Sequence, residues 1–328
     1  MHLLLARTDR IGDLVLSTPA IATIRASFPR ARVTIVCSPY NRVVVERSSD
    51  VDEIVEYPLS AKPGAFGAAF RGAVDIAIAL APRSTDLQIV GGTRAPVRAG
   101  YTYLRRYFAR LTAPLYLNRL MLSEADPALC ERHPEIPIRH EVDQLLDLVA
   151  MVGATQRVAS IRVDVNDEDR AAISYLPADP IVMHLGQRWF KHGSTLASTI
   201  QLIGDLGRLG LPVVLTYAPE SGEYVGAIAQ ARVADVMLGG LSFHRWAAVF
   251  ERARTVVTVD TGATHVASAV RRPTVVAFEH RYFRLNSQEW APYGVPNLLV
   301  RKPADESDAS LAVFRREIVD AVARLLNA

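Results

Sequence analysis

Residues 256–278 read VVTVDTGATHVASAVRRPTVVAF. Val256–Val259 is a β-branched apolar run, the composition of a buried strand. Asp260, Thr261 and Gly262 then interrupt it with small polar residues. Thr264–Val270 predicts a short helix, Pro273 stops it, and Thr274–Phe278 is a second apolar strand. A strand, a helix and a strand in such close succession form a βαβ crossover, so the two strands are parallel and both faces of their sheet are covered. The loop between strand and helix is itself informative. A small polar turn at a helix N-terminus offers backbone N–H groups and a positive dipole end to an anion. His265 falls in the first helical turn and can donate to a phosphate oxygen. The plainer alternative makes Asp260 or Thr261 a simple helix cap.

The same alternation extends on both sides. Toward the N-terminus of this half, Ile181–His184, Pro212–Thr216 and Val236–Leu238 read as strands. Residues 199–209, 223–232 and 245–252 read as the helices between them. Arg315–Leu326 closes the chain as an amphipathic helix. In an open α/β sheet, ligands bind outside the carboxyl ends of the strands. Polar residues placed there are therefore the candidates. Gly186, Arg188 and Lys191 follow the first of these strands and could hold a diphosphate. Trp189 between them either stacks on a ligand ring or plugs the core, and His184 reads as a buried, satisfied histidine. Glu220 and Glu223 follow the next strand and could accept hydrogen bonds from ribose hydroxyls, or could simply begin a solvated helix.

The first half repeats the pattern. His2–Ala6, Arg32–Cys37, Val51–Tyr57, Val74–Leu80 and Val97–Tyr101 are strand-like. Thr18–Pro19 looks like the N-cap and first residue of a helix. Asn41–Arg47 looks like a short helix, 102–139 like a long irregular connection, and 144–152 like an apolar helix. After the first strand stands Arg7-Thr8-Asp9-Arg10-Ile11-Gly12-Asp13. With one glycine, it is neither a dinucleotide-binding nor a P-loop signature. Gly12 suits a tight turn or a close approach of backbone to ligand. Asp13 is either a helix cap or first-turn acid, or a general base. The periodicity fades over 154–180, where Asn166–Ala171 reads as polar linker. This gives two domains, 1–165 and 175–328, with the last helix free to pack back on the first.

Bulk properties narrow the class. A chain of 328 residues can hold two cores. A net charge of +3 with scattered basic residues argues against a nucleic-acid binder. Cys37 and Cys130 make no disulfide framework and read as inert thiols. No metal-ligand cluster is evident, since His265 and Asp260 lack further ligands at a suitable spacing. No apolar run approaches the length of a membrane span, and the N-terminus does not read as a signal peptide. The expectation is a cytoplasmic enzyme.

Five segments together resemble the heptosyltransferase-type glycosyltransferases, family 9. They are RIGDLVLSTPAI near the start, IVMHLG with its following Lys191, YAPESGE, the 256–278 stretch, and WAPYG at 290–294. The resemblance implies a GT-B fold, with two Rossmann-like domains facing a central cleft. It implies an inverting, metal-independent transfer without a resident cofactor, the nucleotide-sugar being a substrate. ADP-heptose is the family's best-known donor and the lipopolysaccharide core its best-known product. A glycan or glycolipid acceptor and peripheral association with the cytoplasmic face of the inner membrane go with that. By the same resemblance Asp13 is the base, Lys191 contacts donor phosphate, and Thr261, Gly262 and His265 hold the diphosphate. Glu223 takes the ribose, with Glu220 the alternative. Two features depart from the family: Arg188-Trp189 precedes Lys191 instead of following it, and a bulky basic segment, 279–284, replaces a small loop. They point to an altered donor or acceptor. The rival readings are an epimerase, a transferase with another donor and a small-molecule or protein acceptor, and a non-catalytic nucleotide- or sugar-binding module. An NAD-dependent epimerase would need the glycine-rich signature that is missing here, and a decayed module would not be expected to keep Asp13.

Overall fold

The computed structural model describes residues 1–123 and 133–327; Cys130 lies outside the described residues. The chain divides into two units, Met1–Arg162 and Val163–Ala328.

The first unit carries strands β1 (His2–Arg7), β2 (Arg32–Cys37), β3 (Glu53–Glu56), β4 (Ile76–Ala79), β5 (Val97–Tyr103) and β6 (Arg119–Ser123). Its helices are α1 (Ile11–Ser27), α2 (Pro63–Ala68), α3 (Ser84–Thr93), α4 (Tyr107–Thr112) and α5 (Glu141–Ala150). All neighbouring strands are parallel, in the order β3-β2-β1-β4-β5-β6. Leu3, Leu4, Leu5 and Ala6 of β1 are fully buried, as a central strand covered on both faces requires. Close helix packing depends on Gly92 of α3. A Cβ there would stand 2.3 Å from the Gly64 carbonyl oxygen of α2.

The second unit has the same wiring. Its strands are β7 (Ile181–Leu185), β8 (Val213–Tyr217), β9 (Val236–Gly239), β10 (Thr255–Val259), β11 (Thr274–Phe278) and β12 (Asn297–Arg301). They are ordered β12-β11-β10-β7-β8-β9, again all parallel. The helices are α6 (Asp167–Ala172), α7 (Leu196–Gly207), α8 (Gly222–Ala231), α9 (Phe243–Arg252), α10 (Gly262–Ala269), α11 (Phe283–Glu289) and α12 (Asp308–Leu326). In each sheet the winding reverses once, between β1 and β4 and between β7 and β10. That is the topological switch point where doubly wound sheets bind ligands.

Several expectations need correction. Thr18 and Pro19 do not start a helix; they lie inside α1, which begins at Ile11. Pro19 has no N–H for the Val15 carbonyl, and the Thr18 hydroxyl donates to it instead at 2.8 Å. The helix survives because a side chain replaces the missing backbone bond. Gly12 sits buried in the first turn of α1 and not in a left-handed turn. The stretch 102–139 is not simply a connection, since it contains α4 and the edge strand β6. Asn166–Ala171 is not linker. Asn166 and Asp169 form a reciprocal capping box that starts α6. The closing helix α12 packs within its own unit, with Phe314, Ile318 and Val322 in that core.

Candidate active site

At the first switch point the carboxyl end of β1 presents Arg7, whose side chain is buried. Its guanidinium donates to the Leu80 carbonyl just beyond β4, so it ties the two reversing strands together. Three carboxylates surround it. Asp9 accepts from Nε at 2.9 Å, Glu141 from Nη1 at 3.2 Å, and Asp13 Oδ1 lies 3.4 Å from Nη2. Glu141 comes from the first residue of α5 and also accepts from the Tyr101 hydroxyl at 2.6 Å. One cation cannot neutralise three anions. The Asp13 carboxyl is accordingly pushed up to about 6, chiefly by burial, with Asp9 and Glu141 adding to it and Arg7 opposing. Asp13 keeps 28% of its side chain exposed, which leaves an edge for a ligand. It occupies the third position of α1. The N-cap is Arg10, whose side chain makes no capping bond. Asp86 of α3 is a second carboxyl at this switch point. Burial pushes it up to about 6 as well, but it is fully enclosed and accepts from the Thr8 N–H at 2.8 Å.

At the second switch point β7 and β10 deliver their loops side by side. The two loops pack closely at Gly186, where a Cβ would fall 3.1 Å from Thr261 Cγ2 and 3.2 Å from Val259 Cγ2. After it, Gln187–Phe190 form a 3₁₀ turn. Trp189 is a core plug: it is fully buried, and its indole N–H donates to the His184 carbonyl at 2.9 Å. His184 is buried beside Thr216 and Trp246, and burial pulls its imidazole down to about 4. Arg188 is engaged within the protein. It pairs with Asp260, and its Nε lies 3.4 Å from Glu279. Asp260 also accepts from Asn286 at 3.0 Å. Burial pushes the Asp260 carboxyl up, against the pull of Arg188. Lys191, by contrast, is exposed, and its ammonium lies 3.4 Å from Gln187 Oε1.

The helix-cap alternative for Asp260 and Thr261 does not hold. Thr261 occupies the N-cap position of α10 but makes no side-chain cap, and its hydroxyl donates back to the Val259 carbonyl at 3.2 Å. The first turn, Gly262–His265, thus starts without a side-chain oxygen over its N–H groups. Both glutamates are exposed beyond β8, Glu220 in the 3₁₀ turn Pro219–Ser221 and Glu223 in the first turn of α8. The side chain of Gln187 donates to the Glu220 carbonyl at 3.1 Å, which ties this turn to the β7 loop. Among the described residues no three His, Cys, Asp or Glu side chains cluster as metal ligands.

Sequence reasoning missed Lys302. It follows β12, it is almost fully buried, and its ammonium donates to the carbonyls of Arg188 at 2.5 Å and Lys191 at 2.6 Å. Burial pulls it down to about 8. The Gly193 N–H donates to Glu306 at 3.2 Å. The loop after β7 is thus clamped by the loop after β12. Arg7, Glu141, Glu279 and Asn286 were missed as supports too. Residues far apart in sequence meet here, and no local pattern announces them.

Residues 200–307 match the family model of glycosyltransferase family 9 (heptosyltransferase). The second unit carries a family 9 glycosyltransferase domain. The matched segment includes Glu220, Glu223 and Asp260–His265, and it stops short of Asp13, Gly186, Arg188 and Lys191. Solved structures extend the likeness over both units. A family 9 glycosyl transferase from Veillonella parvula superposes with a TM-score of 0.78 at 17% identity, covering 99% of this chain and 97% of that one. The ADP-heptose lipopolysaccharide heptosyltransferase II of E. coli gives 0.75 at 17%, covering 100% and 99%. The E. coli heptosyltransferase WaaC with ADP-2-deoxy-2-fluoro heptose gives 0.68 at 20%, covering 100% and 99%. At such identities the likeness is one of fold, the GT-B architecture. A comparison with curated protein sequences finds no match. The family match in the second unit and the shared fold together support a glycosyltransferase.

Proposed function

We propose that the protein transfers a sugar from a nucleotide-sugar to an acceptor hydroxyl with inversion at the anomeric carbon, and that Asp13 is the base. The observation that carries this reading is the Asp13 carboxyl, partly exposed at the β1 switch point and pushed up to about 6. Such a group is ionised at neutral pH yet basic enough to take a proton. In the step, Asp13 accepts the proton of the acceptor hydroxyl while the acceptor oxygen forms its bond to the anomeric carbon. The bond from that carbon to the diphosphate oxygen breaks, and its electron pair leaves with the nucleoside diphosphate. The uncapped first turn of α10, with Thr261, Gly262 and His265, stabilises the departing charge. Lys191, exposed in the loop after β7, contacts a donor phosphate. Arg188 acts with Asp260 and Glu279 to fix Gly186 and its loop. Glu223, with Glu220 as the alternative, accepts hydrogen bonds from ribose. The scheme uses no metal and no resident cofactor.

Two of the similar structures carry ADP-heptose or its fluoro analogue in their names. ADP-heptose is therefore the first donor to test, and a lipopolysaccharide-type glycolipid the first acceptor. A glycolipid acceptor implies work at the cytoplasmic face of the inner membrane. Among the described residues no helix is long and apolar enough to cross a membrane, so the association would be peripheral. Calorimetry against a panel of nucleoside diphosphates and nucleotide-sugars tests the donor half of the proposal. Hydrogen bonds to charged groups are worth about 1.5–3 kcal/mol. Thr261→Ala and His265→Ala should each weaken diphosphate binding by roughly 10- to 100-fold. Unchanged affinity in both variants would remove the donor from α10.

A further inference from the structure

Residues 101–123 contain Arg105, Arg106, Arg110 and Arg119 and no aspartate or glutamate, in a chain whose net charge is only +3. They form the end of β5, α4, a 3₁₀ turn over Ala113–Leu115, and β6 at the sheet edge. α4 buries no residue. Tyr107, Phe108 and Leu111 are 62%, 81% and 76% exposed, and Leu115 in the following turn is 72% exposed. Single exposed apolar residues are ordinary, but four within so short a segment, two of them aromatic, form a patch. Three of the arginines around it are held by carbonyls or rings. Arg110 donates to the Leu104 carbonyl and lies 5.8 Å over the Tyr107 ring. Arg106 lies 4.8 Å over the Tyr103 ring. Arg119 donates to the Asn118 carbonyl.

We propose that this ridge docks the protein on an anionic lipid bilayer. Phe108 and Leu111 enter the acyl boundary, and the arginines meet headgroup phosphates. The charge pattern selects this occupant. An acidic protein surface would satisfy the arginines and leave the apolar side chains facing polar groups. A second copy presenting the same ridge would set arginine against arginine. A bilayer offers negative charge outside and hydrocarbon just beneath, which is the layering the ridge presents. Arginine stems can lie along the apolar surface while their heads stay at the phosphates. The biological sense of this docking rests on the reading of the acceptor as a glycolipid. The surface argument itself does not use the transfer reaction.

The test is flotation of the full-length protein with acceptor-free vesicles, either of phosphatidylcholine alone or with one-third phosphatidylglycerol. Binding should require the anionic lipid and weaken with salt. One basic residue at such a surface is worth about a five-fold change in partitioning. Arg105→Gln/Arg106→Gln/Arg119→Gln should therefore lower binding by about 100-fold. Phe108→Ser/Leu111→Ser should lower it by at least about 10-fold. Both variants should keep the wild-type melting temperature and nucleoside diphosphate affinity, because Arg106, Phe108, Leu111 and Arg119 are exposed and Arg105 is only half-buried. Equal binding to neutral and anionic vesicles, or indifference to both variants, overturns the proposal. So does a dimer seen by light scattering that both variants abolish, which would assign the ridge to a second copy. Loss of transfer chemistry in Asp13→Asn with vesicle binding intact would separate the two readings.

Discussion

Asp13 is bound into a balance of charges that makes its behaviour predictable. Arg7 pulls its proton off; burial, Asp9 and Glu141 hold the proton on; Arg10 adds a weaker pull. The net result is a carboxyl pushed up to about 6. A base must be ionised, so kcat should fall about tenfold per pH unit below pH 6 and level off above it. Glu141→Gln tests the cause. It keeps an acceptor for Tyr101 but removes one of the anions competing for Arg7, so the acid limb should move to lower pH. A limb that stays in place would show that Glu141 does not act on Asp13. The stability sign is opposite to that of an ordinary ion pair. A carboxyl whose folded pKa is raised contributes most while protonated, and that contribution is lost as pH rises from about 4 to about 6. Asp86 behaves in the same way without facing solvent, so acid-range stability belongs to both residues and the rate limb to Asp13 alone.

Among the elements, the loop from Gly186 to Gly193 depends most on distant support. Lys302 holds the carbonyls of Arg188 and Lys191, while Asp260 and Glu279 hold the Arg188 side chain. Lys302→Met keeps the stem and removes both hydrogen bonds. It leaves two carbonyls unpaired but also removes a costly buried charge, so the global loss should be modest, about 1–3 kcal/mol. The loop itself should loosen, which hydrogen exchange over 186–193 would register, and diphosphate affinity should drop by about tenfold or more. Unchanged exchange there would mean the clamp is incidental. This layer of the structure was not legible in the sequence. The strands were, because β1, β7, β10 and β11 are continuous apolar runs with β-branched or leucine residues. The start of α1 was not, because Thr18-Pro19 imitates a helix start and only the Thr18 hydroxyl bond to Val15 explains how proline sits within a turn. β6 was not, because RLMLS is an edge strand without the β-branched run of a buried one.

At the scale of the molecule, one wiring pattern occurs twice, and each copy places its chemistry at its own reversal point. In the first copy the Asp13 carboxyl, the base in the proposed reaction, lies beside Arg7. In the second, the first turn of α10 lacks a side-chain cap, and the proposed reaction places the diphosphate there. The positions of Asp13 and of the 260–265 loop, each between a strand end and the helix that follows it or in that helix's first turn, were legible in the sequence. Their supports were not, because Arg7 meets Glu141 across more than half the first unit and Lys302 reaches back to β7. Division of labour between the units predicts that removing the base leaves donor binding intact. The direct test is Asp13→Asn assayed for acceptor-dependent release of nucleoside diphosphate, once the donor panel has supplied a working pair. Asparagine retains the shape of the side chain and its place in the first turn of α1, but it cannot accept the proton. Positioned bases contribute about 10²- to 10⁴-fold. The account predicts a variant that binds donor as wild type does, melts at or above the wild-type temperature at neutral pH, and transfers at least about 100-fold more slowly. Transfer within a few-fold of wild type would contradict it, and the proton would then have to go elsewhere.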